Sequence, residues 1–223
     1  FWDNLSFDNS KNLIKEYSKN KIKYFKSENF LKLYEARNSA IKKSSGKYIC
    51  FLDTDDYWDL KKIELQVEFL ENNKNFDMVY SNFFNFNQIT GKKNIQNNFN
   101  LPHGKITDKI LKNYTVGILT TCIRKSIFDK RVFNKKYEII GDFDFFIKLS
   151  TEINIGCIQQ PLAVYRIHAN NYSKRKRNIY IQELNEWINE NEKFFSKAGY
   201  SLISQKILIL KLKIKKIFNL SGV

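Results

Sequence analysis

Hydrophobic positions along this chain alternate between helical and strand spacing. Leu13, Ile14 and Tyr17 share one side of a helix over Lys11–Tyr17, with Asp8, Asn9 and Ser10 as candidate caps at the end of the Trp2–Ser10 stretch. Ile22–Phe25 reads as a short strand. Leu33, Ala36, Ala40 and Ile41 then recur at helical spacing across Leu31–Lys43, and Gly46 lies just beyond as the stop. Tyr48–Leu52 is an unbroken apolar run, the pattern of a strand buried on both faces. Leu60–Leu70 returns to helical spacing behind Asp59, its start signal, and Phe76–Ser81 is again a strand. Strand and helix in alternation predict an α/β sheet, whose ligands bind beyond the carboxyl ends of its strands.

The second half is less regular. Phe83–Leu101 is rich in Asn and weakly patterned, a hairpin or a long loop with Thr90–Gly91 as a turn. Thr107–Tyr114 reads as a short helix, Gly117–Ile123 as a strand and Lys125–Lys130 as a turn of helix. A helix opens at Gly141-Asp142-Phe143-Asp144, and Cys157–Ile158 and Leu162–Ile167 are strand candidates. Beyond Ser173 the character changes. Asn178–Lys197 is a polar amphipathic helix carrying Ile181, Leu184, Trp187 and Ile188, and Leu202–Leu220 is a Lys/Ile/Leu run that its length favours as a terminal helix. This divides the chain into a main domain, residues 1–173, and a basic helical tail, residues 174–223.

With 223 residues, 43% of them hydrophobic, the chain can bury a sizeable core. Its 2 prolines and 8 glycines leave little material for linkers. No apolar run approaches the roughly 20 residues that span a bilayer. Cys50, Cys122 and Cys157 lie far apart in apolar runs, so buried reduced thiols in a cytoplasmic protein are expected. The formal charge of +15 invites a nucleic-acid reading. However, Lys, Asn and Ile are abundant throughout, no nucleic-acid-binding motif is present, and an acidic cluster at the sheet edge would repel phosphate. No nucleic-acid partner is expected. The basic charge concentrates in Ser173–Asn178 and Lys206–Lys216.

That acidic cluster is where the chemistry gathers. The Tyr48–Leu52 strand ends at Asp53, Asp55 and Asp56, three like charges that a hard divalent cation would neutralise, Mg²⁺ or Mn²⁺ by the oxygen-only ligand set. Asp53 and Asp55 aim the same way only if the backbone there stays extended. Helix capping explains Asp59, but it uses one carboxylate and leaves the other three over.

WDN-x-SFDNS, LYEARNSAIKKSSGKYICFLDTDDYW, GDFDFFIKLS and PLAVYRIHANNYS, in that order over residues 1–173, resemble family-2 nucleotide-sugar glycosyltransferases. The resemblance implies a GT-A (Rossmann-like) fold, with a mixed, mostly parallel sheet flanked by helices and a C-terminal helical extension. It implies an inverting transfer of a sugar from a nucleoside-diphosphate sugar, a UDP-sugar foremost, to a hydroxyl on a glycan or lipid-linked glycan, in bacterial surface polysaccharide or lipopolysaccharide synthesis. Asp53 and Asp55 match the pair that holds the metal under the donor diphosphate, and His168 matches a further metal or phosphate ligand. Asp3 and Arg37 match groups that contact the nucleotide. Asp142 matches the catalytic base, although Gly141 stands where the family usually has Glu. The family's first apolar strand would precede Trp2, and without it a weaker hold on the nucleotide is expected.

Bland roles compete at several of these positions. Arg37 could pair with Glu35, His168 could be a plain hydrogen-bonded histidine, Asp144 could favour its helix dipole, and Trp58 could be packing. Asp56 could support Asp53 without touching a ligand. A glycoside hydrolase with two carboxylates, or a degenerate transferase serving as a scaffold, are the rival functions. As an amphipathic basic helix, the tail could also rest on the inner face of an anionic membrane.

Overall fold

The computed structural model describes residues 1–17, 21–169, 171 and 176–217, with side chains described to residue 214. The Ser173–Asn178 basic cluster, the boundary expected at residue 173 and the last residues of the Leu202–Leu220 run therefore lie wholly or partly outside the described residues.

β1 (Trp2–Asp3) and β2 (Phe25–Lys26) form a small parallel ladder. α1 (Ser10–Tyr17) connects them, and Asp8 Oδ1 accepts from the Ser10 N–H at 3.0 Å. α2 (Leu33–Lys43) precedes β3 (Tyr48–Ile49). β4 (Tyr57–Trp58) and α3 (Lys62–Asn72) follow; the helix starts later than Leu60, its N-cap Lys61 has no side-chain cap, and the Asp59 carboxylate instead accepts from the Lys61 N–H at 2.9 Å in the turn ahead of it.

β5 (Phe76–Asn87) is longer than the apolar run suggests. It continues through the Asn-rich segment and pairs with β6 (Lys93–Ile95) across a turn at Gly91, where φ is +69°. That turn region is a hairpin, one of the two arrangements expected. α4 (Thr107–Lys112) leads to a 3₁₀ turn at Ile118–Thr120 and then β7 (Cys122–Arg124). The strand expected over Gly117–Ile123 is thus half turn. Thr120 and Thr121 explain it, because their hydroxyls bond back to the carbonyls of Gly117 and Ile118 at 2.6 and 2.9 Å, which competes with a ladder.

α5 (Ile127–Lys130), α6 (Gly141–Ser150) and β8 (Asn154–Ile167) complete the sheet. The two strands expected around Pro161 are one. Proline has no N–H to give, and the β5–β8 register shifts between Ser81 and Asn82, where Asn82 faces Pro161.

The main sheet runs β3-β7-β5-β8-β4, with β6 on β5. Its longest pairing, β5 with β8, is parallel, while β3–β7, β5–β7, β4–β8 and β5–β6 are antiparallel. The mixed α/β class holds, but most strand pairings here are antiparallel rather than parallel. Short connections, such as the β5–β6 hairpin, permit this.

α7 (Arg177–Lys197) and α8 (Ile203–Ile217) close the fold. Trp187 and Phe195 are fully buried, in the same core as Tyr34, Met78, Tyr80, Phe133 and Phe145. Trp187 donates its Nε1–H to the Asp144 carboxylate at 2.8 Å, and Lys148 reaches the same oxygen at 2.6 Å. Asp144 is therefore a strut between α6 and α7. α8 buries Gln205 and Ile209, Leu202 just ahead of it is buried too, and Ile203, Ile207, Leu210 and Ile214 stay exposed.

Candidate active site

The backbone does not stay extended through the acidic cluster. Asp56 N–H bonds the Asp53 carbonyl at 3.1 Å, closing a turn over Thr54 and Asp55. That turn re-aims the carboxylates. Asp53 receives two hydrogen bonds from one Arg37 nitrogen, both at 2.9 Å, and Asp55 Oδ2 sits 2.9 Å from His168 Nε2. Arg37 comes from α2 and lies 5.4 Å above the ring of Tyr34, three residues earlier on the same face. Its partner is Asp53 rather than Glu35.

Asp56 is buried and accepts from the Arg166 N–H at 2.9 Å, which ties the turn to β8 and not to Asp53. Burial raises its carboxyl to about 6, the bond from Arg166 opposing and the charges of Asp55 and Asp53 adding. Its folded pKa exceeds the unfolded one, so the stability it confers is complete below about pH 4 and is lost as pH rises through about 6. Asp56→Asn stays neutral and can still accept from Arg166. The substitution is expected to add roughly 1–3 kcal/mol at pH 7.5 and almost nothing at pH 4. Urea unfolding of both proteins at the two pH values measures this; an equal difference at both would refute it.

Asp142 opens α6. Its Oδ1 accepts from the Tyr34 hydroxyl at 2.9 Å, and that hydroxyl also lies 2.7 Å from the Ile139 carbonyl. Burial pushes the Asp142 carboxyl up, while Arg37 and the Tyr34 bond pull it down; the rise prevails. Gly141 has a local reason. A Cβ there would stand 2.5–2.7 Å from three Tyr34 ring atoms, so any side chain, a glutamate included, would displace the ring that holds Asp142.

The loop before α6 is anchored from the C-terminal helices. The Glu183 carboxylate, on α7 and 8% exposed, accepts from the backbone N–H groups of Glu138, Ile139 and Ile140 at 2.5, 2.9 and 3.1 Å. Sequence reading missed Tyr34 and Glu183. Tyr34 had a faint signal in its spacing three residues ahead of Arg37. Glu183 had one as a carboxylate beside the apolar stripe of its helix.

Tyr34, Arg37, Asp53, Asp55 and Asp142 line one cleft of about 230 Å³. Asp55 also borders a second cavity of about 510 Å³ with Arg166 and His168. The two distant acidic segments thus meet. Asp3 is not among the cleft's lining residues. It is buried at the end of β1, and bonds from Tyr24 and Ser6 outweigh the effect of burial and hold its carboxyl below the usual range. Trp58 donates to the Leu119 carbonyl at 2.8 Å with Lys62 over its ring, a packing role.

No three His, Cys, Asp or Glu side chains form a metal cluster among the described residues. Asp55 Oδ2 and His168 Nε2 stand 2.9 Å apart as a hydrogen-bonded pair, a separation that two ligands at right angles around a cation about 2.1 Å from each would share. Asp53 is turned to Arg37 instead.

A mixed sheet with a carboxylate-lined cleft, into which the start of α6 brings Asp142, matches the GT-A fold that the resemblance of the motifs implies. The chain belongs to glycosyl transferase family 2, whose model matches residues 1–170. It is 31% identical over 187 residues to the Escherichia coli protein named UDP-Glc:alpha-D-GlcNAc-diphosphoundecaprenol beta-1,3-glucosyltransferase WfgD, across 78% of this chain and 69% of that one. It is 27% identical to the uncharacterized glycosyltransferase MJ1057 of Methanocaldococcus jannaschii, across 93% and 76% respectively. Among solved structures, S. aureus TarS in complex with UDP-GlcNAc shares the fold, with a TM-score of 0.62 and 16% identity over 84% of this chain and 56% of TarS. A Rickettsia bellii relative, 33% identical, is much longer: the match spans 25% of it.

Proposed function

We propose that this protein transfers a sugar from a UDP-sugar to a hydroxyl of a lipid-linked glycan, with inversion, in the synthesis of a bacterial surface polysaccharide. The observation that carries the reading is the single cleft lined by Asp53, Asp55 and Asp142. WfgD is named for UDP-Glc and a GlcNAc-diphosphoundecaprenol acceptor, and TarS was solved with UDP-GlcNAc, which supports the nucleotide and the acceptor class.

Most of these residues have a task in this mechanism. Asp142, its Oδ1 fixed by Tyr34, takes the acceptor's proton as that oxygen attacks the anomeric carbon opposite the leaving diphosphate. Burial suits it to the role by making it a stronger base than an exposed carboxylate. Arg37, locked on Asp53 beside the cleft, places positive charge near the diphosphate and keeps Asp53 oriented. Asp3, buried at the end of β1 with its carboxylate taken up by Tyr24 and Ser6, is given no contact with the donor here. Asp55 and His168 would hold a divalent cation, Mn²⁺ or Mg²⁺, which when bound neutralises charge on the departing nucleoside diphosphate.

No helix among the described residues is long and apolar enough to cross a membrane. The exposed apolar residues of α8 alternate with lysines, which supports peripheral contact with the inner face of an anionic membrane from the cytoplasm.

Titration with UDP tests the donor site. UDP is expected to bind at least tenfold tighter with 5 mM Mn²⁺ than with EDTA, and Asp55→Asn is expected to abolish most of that gain. Cation-independent UDP affinity would overturn the metal assignment, and no UDP binding in either condition would overturn the donor reading.

A further inference from the structure

Two cysteines and a buried lysine that sugar transfer does not use come together around β3 and β7. These strands pair antiparallel, with Tyr48 opposite Arg124 and Ile49 opposite Ile123, so the next step sets Cys50 opposite Cys122. The Lys125 N–H bonds the Lys47 carbonyl at 2.9 Å, which makes that pair a hydrogen-bonded one. By alternation along the ladder, Cys50 and Cys122 are a non-hydrogen-bonded pair, with Cα atoms about 4.5 Å apart and side chains on one face. A disulfide spans Cα separations of roughly 4.4–6.8 Å. Both cysteines are free, both belong to the apolar cluster around Val79 and Phe69, and their thiols are hydrogen-bonded to each other.

Lys62, the first residue of α3, supplies charge. Its side chain is fully buried, and its Nζ bonds Gln66 Oε1 at 2.7 Å and the Thr121 carbonyl at 3.2 Å, both neutral. Burial lowers its pKa, and the charges that oppose this are those of Cys50 and Cys122. A buried ammonium with neutral partners is costly, and a thiolate would be its counter-ion. The two thiols are unequal. The bond from Cys122 holds the half-buried Cys50 below its ordinary value, against burial and with help from Lys62. The same bond, with burial, pushes the fully buried Cys122 up. Cys157 is half-buried as well, but burial pushes its thiol up to about 12.

We propose that Cys50 and Cys122 are an oxidation site, at which a peroxide closes a reversible disulfide between β3 and β7. The Cys50 thiolate attacks one peroxide oxygen, the O–O bond breaks, and the departing hydroxide takes up the proton that Cys50 released. The Cys122 thiol attacks the resulting sulfenic sulfur, the S–O bond breaks, and water leaves with the Cys122 proton. Two thiols are oxidised to one disulfide, and the peroxide is reduced to two waters. Capture by Cys122 spares Cys50 the irreversible sulfinic acid. The site stands independently of the transferase reading.

Mass spectrometry of the full chain after treatment with a modest excess of hydrogen peroxide tests this. The parent is expected to lose two hydrogens, to yield a peptide linking Cys50 to Cys122, and to recover both thiols with dithiothreitol. Cys157 is expected to stay open to alkylation. Under the same treatment Cys122→Ser is expected to carry sulfenic or sulfinic acid at Cys50, and Cys50→Ser to leave Cys122 unmodified. Lys62→Met is expected to slow the oxidation at least about threefold. Should either variant at a fully buried position fail to fold, the parent and the half-buried Cys50→Ser still decide. The proposal falls if Cys50 and Cys122 both remain alkylatable after peroxide, if the disulfide involves Cys157 or a second chain, or if Cys50→Ser is oxidised at Cys122 as fast as the parent. An unchanged rate in folded Lys62→Met overturns the part given to the lysine.

Discussion

Asp142→Asn is expected to lower kcat by about 10²–10⁴-fold, the range by which a positioned general base accelerates proton transfer, and to leave UDP affinity unchanged. The reasoning is local. Asparagine is nearly isosteric, so its Oδ1 still accepts from Tyr34 and the start of α6 stays in place. What disappears is the ionisable oxygen proposed to receive the acceptor's proton. The variant is expected to fold as well as the parent near pH 7 or better. Folding raises this carboxyl's pKa, so the ionised form works against stability above the ordinary carboxylate range, and an amide removes that cost.

The parent's pH profile supplies a second check on the same residue. With Asp142 as the proposed base, activity needs it ionised and is expected to fall as pH drops through its raised pKa. The acid limb of kcat should therefore lie above about 4, the value for an exposed aspartate. A limb at or below 4, or an asparagine variant with more than a tenth of parental kcat, would show that another group takes the proton.

Much of this was legible in the residues. Apolar runs ending in charge marked the sheet's working edge, because a carboxylate cannot sit inside a strand buried on both faces. What the spacing could not settle was direction. Asp53 and Asp55 are two apart, which in a strand would put them on one face. The turn closed by the Asp56 N–H sends one to Arg37 and the other to His168 instead. Thr120 and Thr121 are favourable strand residues by type, yet their hydroxyls stabilised a 3₁₀ turn once the chain bent. The same limit hid the contribution of the C-terminal helices. Basic, amphipathic and separated from the four motifs, they read as a tail. Trp187 and Phe195 are fully buried in the main core, and Glu183 reaches back to the loop ahead of Asp142. Such contacts join residues 43–45 positions apart, beyond any local pattern.

Glu183 is where that long reach has its largest expected consequence. One carboxylate satisfies three consecutive N–H groups just ahead of α6. Replacing it by alanine leaves those donors without their acceptor in a half-buried loop, each donor that stays unmet costing about 1–3 kcal/mol before relaxation. Glu183→Ala is expected to lose roughly 2–4 kcal/mol in urea unfolding, and Glu183→Gln less, since one amide oxygen can still accept. Catalysis should suffer separately from stability. Residues 138–140 lead directly into Gly141 and Asp142, and the Ile139 carbonyl is one of Tyr34's two partners. A displacement of about 1 Å there is worth up to about 10²-fold in rate. Measured well below its unfolding midpoint, Glu183→Ala should lose 10–100-fold in kcat while UDP affinity holds and the acid limb of the pH profile moves. If the variant is destabilised but keeps parental kcat and an unmoved acid limb, Glu183 only holds the helices together, and the geometry of Asp142 is set within α2 and α6 alone.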